Sequence, residues 1–178
     1  MTPDLLLWVV ARASGIGSLA ALCLALVSGI ALRTSIFTWA GTSREVRALH
    51  DFTNLLWIPL GLVHLGALLL DSTAQLRPQD AVLPFQVPYG TDLIGLGTLS
   101  LDLLVVVALA AWLRRRPPRL LWRWLHRLAY PACALALLHA ALGGTDFANP
   151  LISALAFAAA AAAAVLVLAR VLFGRLGA

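Results

Sequence analysis

The chain has no lysine. Its 13 basic residues are all arginine, and of its 8 acidic residues only Glu45 is a glutamate. Charged residues make up 12% of the sequence, methionine occurs once, and tyrosine and cysteine occur twice each. Charge this sparse excludes the solvated surface of an ordinary soluble domain. The two cysteines, Cys23 and Cys133, lie deep in apolar runs and read as small buried residues rather than as a disulfide or a metal site. No Cys-x-x-Cys-His occurs, which excludes covalent c-type haem attachment by that signature.

Hydrophobic residues supply 61% of the chain, and the mean hydropathy is +0.91. Both values define an integral membrane protein, with lipid as its first partner. The net charge of +5 is carried by arginines clustered beside apolar spans, which points to membrane topology rather than to nucleic acid.

Five apolar segments are predicted to be transmembrane helices, at about 5–32, 43–70, 91–113, 119–142 and 150–173, together forming one all-α domain over 1–178. The first is too long for a cleaved signal peptide and lacks a basic leader, so it is expected to be retained. Thr42 and Glu45 form a capping box at the start of the second. Pro59 in the second span and Pro131 in the fourth are expected to kink or rewind their helices. Asn149 and Pro150 read as N-cap and first residue of the fifth. Residues 71–91, with Pro78, Pro84 and Pro88, read as a loop whose Phe85 and Tyr89 rest on the bilayer or cover a site.

Arg33, Arg44 and Arg47 fall between the first and second spans. Arg114, Arg115, Arg116, Arg119 and Arg123 fall between the third and fourth, and Arg170 and Arg175 lie at the C-terminal end. The opposite side has only Arg77 in its loops. The positive-inside rule therefore places the N-terminus outside and the C-terminus in the cytoplasm, in a multi-pass cell (inner or plasma) membrane protein.

The four histidines are His50 and His64 on the second span and His126 and His139 on the fourth. An ionisable residue inside a membrane is by default a functional candidate, and four in two pairs suggest two sites of two neutral imidazoles. At 1.5 Å per residue each span carries one histidine in the inner leaflet and one about 20 Å further out. Depth pairs His50 with His126 and His64 with His139, each pair able to clamp a flat macrocycle between the second and fourth helices. The predicted cofactors are accordingly two b haems. Zinc fits less well, because no pair has further Cys, Asp or Glu ligands at short spacing.

Fourteen residues bring His64 back to within about 40° of His50, so the two share a face, whereas thirteen leave His126 and His139 offset by about 140°. Trp57 lies midway on the first stripe, either between the haems or as an ordinary packing aromatic. Arg12 and Asp102 lie inside their helices at similar depth from the outer side. They pair with one another, or Arg12 faces a haem propionate or an incoming acceptor. Arg47, Arg123 and Arg127 lie near the inner histidines, as propionate partners or simply as inside-positive residues. Gly15, Gly17 and Gly29 on the first span and Gly61 and Gly66 on the second suit close approach of helices or of a macrocycle.

These residues resemble the ferric reductase-like transmembrane domain shared by ferric reductases, NADPH oxidases and the haem-binding membrane subunit of the periplasmic methionine-sulfoxide reductase. The resemblance rests on His-x13-His at His50/His64, His-x12-His at His126/His139, WRWLHRLAY around His126, and ARASG around Arg12. VPYGTDLIGLGTLSLDLL and LLHAALGGTD are also similar to stretches of stand-alone bacterial members. It implies two stacked b haems passing electrons from a cytoplasmic donor to ferric iron, dioxygen or a periplasmic protein outside, with Arg12 near the outer haem. The chain departs from the larger members in having no Gly-x-Gly-x-x-Gly fingerprint and few residues after the fifth span. The donor is then expected to be a separate flavin-bearing reductase, a flavin or a quinol. Rival readings are a non-haem transporter whose histidines, Arg12 and Asp102 line a polar path, and a structural anchor subunit.

Overall fold

The computed structural model describes residues 2–33, 42–113 and 118–173. Arg114, Arg115, Arg116 and Arg175 of the topology argument lie outside them. The described residues form helices and turns with no strand, and five helical stretches are long and apolar enough to cross a membrane.

Helix α1 spans Pro3–Ala31. It starts before the predicted Leu5 because Thr2 caps it, its side chain accepting from Leu5 N at 3.3 Å, with Pro3 in the first turn. Helix α2 spans Ser43–Leu70 and opens on the predicted capping box. Thr42 N donates to the Glu45 carboxylate at 2.7 Å, and Glu45 N donates back to Thr42 Oγ1 at 3.4 Å. The helix continues through Pro59. Helix α3 spans Thr91–Trp112.

The predicted fourth span is two helices, α4 (Arg119–Arg127) and α5 (Ala129–Gly143). They divide at Leu128, whose N–H donates to Leu125 O at 3.1 Å, an i to i−3 bond. Pro131 explains the place, since its ring crowds the carbonyl four residues back, at Arg127. Helix α6 spans Pro150–Phe173, with Leu151 N donating to the Asn149 side chain at 2.9 Å as the cap prediction required.

The chain divides into two compact units. One contains α1, α2 and α6 from Ala154; the other runs from Ala74 to Ser153 and contains α3, α4 and α5. In the first, α1 packs along α2. In the second, α3 packs against α5 and α4. The membrane-length part of α6 buries none of its side chains, as suits an alanine-rich helix facing lipid.

The 71–91 segment is more ordered than a plain loop. Pro78–Ala81 forms a 3-10 turn closed by Asp80, whose side chain is fully covered. Asp80 accepts from Arg77 N at 2.9 Å, Nε at 3.2 Å and Nη2 at 3.1 Å. Thr98 Oγ1 donates to the Asp80 carbonyl at 3.0 Å and ties the turn to α3. Phe85 adopts a positive φ of 63° and lays its ring on Gly95, where any Cβ would collide with it. The ring thus lies against α3 at Gly95, with Phe85 still 42% exposed.

Candidate functional site

In the first unit α2 runs antiparallel to α1, joined by three hydrogen bonds in one register. His64 Nδ1 meets Ala11 O at 2.7 Å, Ser18 Oγ donates to Trp57 O at 2.9 Å, and His50 Nδ1 meets Ala25 O at 2.8 Å. Each step is seven residues on both helices, the heptad repeat of a packed helical seam. His50 and His64 thus share the α1-facing side of α2, as their fourteen-residue spacing required. Ser72 Oγ, donating to Asp4 Oδ2 at 3.0 Å, closes the seam about one heptad further on.

The second unit repeats the arrangement. His139 Nδ1 meets Leu93 O at 2.7 Å, and seven residues away Ser100 Oγ donates to Ala132 O at 2.8 Å. A glycine follows each accepting carbonyl by four residues: Gly15 after Ala11, Gly29 after Ala25, Gly97 after Leu93. The imidazole occupies the space a side chain would take. A Cβ on Gly15 would stand 2.8 Å from His64 Nδ1, one on Gly97 2.8 Å from His139 Nδ1, and one on Gly29 3.1 Å from His50 Cε1. These glycines admit the histidine rings themselves. By contrast Gly17 admits Leu60, Gly61 admits Ser18, and Gly66 faces nothing within 4 Å.

A carbonyl oxygen can only accept, so each of the three imidazoles carries a proton on Nδ1, which in the neutral ring puts the lone pair on Nε2. That tautomer suits a metal ligand, whose other ring nitrogen donates to a carbonyl that fixes ring orientation and raises basicity. Each of these three residues would be able to ligate a metal such as a haem iron through Nε2. Among the described residues no three His, Cys, Asp or Glu side chains cluster as a cation cage.

His126 is placed differently. It lies at the end of α4, its ring stacked on Trp122 at 5.1 Å between centroids and 10° between planes. Beyond Gly97, α3 has no glycine to seat a ring. The thirteen-residue spacing to His139 includes the Leu128 break. There the i to i−3 bond turns the chain by about 120° per residue instead of 100°, which reduces the 140° offset of an ideal helix.

Trp57 is buried midway between the two α2 histidines. Its Nε1 donates to Asn54 Oδ1 at 3.1 Å, and Asn54 Nδ2 donates to His50 O at 2.7 Å, linking it to the turn that carries His50. The Arg12 guanidinium lies over the Trp8 ring at 4.1 Å, one residue beyond the carbonyl that receives His64. Arg12 belongs to the first unit and Asp102 to the second. On α4, Arg127 lies over Trp124 at 4.7 Å.

Sequence reasoning passed over Ser14, Ser28 and the accepting carbonyls. The visible signal was a repeat: ARASG at 11–15 and ALVSG at 25–29 set Ala, Ser and Gly fourteen residues apart, the separation of His50 and His64. Comparison with family models, with curated proteins and with solved structures gives no match.

Proposed function

We propose that the chain is a two-haem b-type membrane cytochrome that conducts electrons between a donor at the cytoplasmic face and an acceptor outside. One observation supports it above the rest: His50, His64 and His139 each donate Nδ1–H to a backbone carbonyl beside a glycine that gives the ring its space. A histidine that merely packs has no need of a repeated seat. Depth along the spans pairs His50 with His126 on the cytoplasmic side and His64 with His139 on the outer side. Bound haem supplies the one-electron chemistry. The chain's own part is to hold four imidazoles in place, to exclude water with apolar helices, and to offer arginines near the inner pair. The arginine-rich side suits an acidic reductase, with flavin or quinol as other donors. The outer acceptor is ferric iron, dioxygen or a periplasmic protein.

The visible spectrum of the purified protein tests this. A reducible Soret and α band with two haems per chain is expected. His64→Ala and His139→Ala should remove the same haem and spare the other, and His50→Ala and His126→Ala should remove the second. A folded, colourless protein would refute the proposal and favour a transport or anchoring role.

A further inference from the structure

Ser14 and Ser28 stand three residues after Ala11 and Ala25, and each hydroxyl reaches the oxygen that receives a histidine. Ser14 Oγ donates to Val10 O and, at 3.2 Å, to Ala11 O, the acceptor of His64 Nδ1. Ser28 Oγ donates to Leu24 O at 2.6 Å and to Ala25 O at 3.1 Å, the acceptor of His50 Nδ1, and lies 3.4 Å from that nitrogen. Both serines are buried. In the second unit the matching position, three residues after Leu93, is Leu96, so no hydroxyl competes for the carbonyl that receives His139.

A serine hydroxyl in a helix commonly bonds the carbonyl four residues back, which accounts for the first bond of each pair. The hydroxyl has one proton, so its contact with Ala11 O or Ala25 O is the longer, weaker arm of a forked bond, and that arm has a consequence for the histidine. Each oxygen has two lone pairs and already receives a helical N–H, so the hydroxyl and the imidazole share what remains. A shared oxygen draws less strongly on the Nδ1 proton. The imidazole is then a weaker electron donor through Nε2 than one with the carbonyl to itself. Weaker donation favours the reduced, ferrous form of a ligated iron.

We infer that Ser14 and Ser28 are positioning residues that raise the midpoint potentials of the haems ligated by His64 and His50, through the carbonyls of Ala11 and Ala25. This rests on the two-haem reading. It also marks an asymmetry: the outer pair would combine a serine-modulated ligand, His64, with an unmodulated one, His139.

A redox titration of the full-length protein, followed at the α bands of the two haems, tests it. The couple is one electron per iron, supplied by dithionite through mediators. Ser14→Ala should lower one midpoint and Ser28→Ala the other, with haem content unchanged. Ser14→Thr, which keeps a hydroxyl, should restore the wild-type value. Leu96→Ser, which adds the missing hydroxyl beside His139, should raise the midpoint that Ser14→Ala lowers. If both midpoints stay put in the alanine variants of a two-haem protein, or rise, this inference fails and the haem reading stands. If Ser14→Ala fails to fold, Leu96→Ser decides, since an unmoved midpoint there is equally fatal. A wild-type protein without haem removes both readings together.

Discussion

His64 donates its Nδ1–H to the carbonyl oxygen of Ala11 at 2.7 Å, with its ring over Gly15. The candidate ligand is on α2, but the direction of its ring is set by α1. Substitutions that never touch a histidine should therefore act on histidine geometry.

The glycines give a graded series. Gly15→Ala and Gly97→Ala each set a Cβ 2.8 Å from an imidazole nitrogen and should cost about 1–3 kcal/mol as the ring is displaced. Gly29→Ala, with its closest approach at 3.1 Å, should cost less. Gly66→Ala meets nothing within 4 Å and should gain about 0.5–1 kcal/mol of helix propensity. Unfolding in mixed detergent micelles measures all four, and a uniform response would refute the seating argument.

The two serine crosslinks should behave alike. Ser18→Ala removes the bond to Trp57 O, and Ser100→Ala removes the bond to Ala132 O. Hydrogen bonds between helices in membranes contribute about 0.6–2 kcal/mol, and each variant should lose stability within that range. The same denaturation assay reads the result.

Asp80 makes the Pro78–Ala81 turn sensitive to acid. Hydrogen bonds from the Arg77 side chain, and then from its backbone N–H, hold the Asp80 carboxyl below its usual pKa. A lowered folded pKa means that its stabilisation is complete above the unfolded value, about 3.9, and is lost as pH falls through the folded one. The difference in Tm between wild type and Asp80→Asn should be constant from pH 7 to about pH 5 and shrink below about pH 4. A difference that persists at pH 2.5 would show that Asp80 does not act through its charge.

Orientation is open to a direct check. Fusing a periplasm-active reporter after residue 75 should give activity, and fusing it after Arg116 should give none. The reverse pattern would place the His64 end of α2 toward the cytoplasm.

Much of the fold was legible because lipid imposes simple constraints: the five spans, the Thr42–Glu45 box and the Asn149–Pro150 start are all local signals. Thr2 was missed as the first cap because hydropathy alone finds where a run becomes apolar, not where its backbone donors are satisfied. The division at Leu128 was half legible. Pro131 marked the region, but which turn tightens depends on crowding of the carbonyl at Arg127. The histidines announced themselves by rarity. Their seats did not, because a backbone carbonyl has no letter in the sequence, and Gly15 and Gly17 look equivalent until the facing helix is in place.

The heptad seam between α1 and α2 also bears on how this chain tolerates change in length. Two contacts fourteen residues apart on one helix match two contacts fourteen residues apart on the other. One residue inserted between Ala11 and Ala25 rotates everything beyond it by about 100° and carries one seat off its histidine. The same insertion between His50 and His64 does likewise. Only a matched change of about one heptad in both helices keeps both seats on the seam, so the two segments can lengthen or shorten only together and by about seven residues.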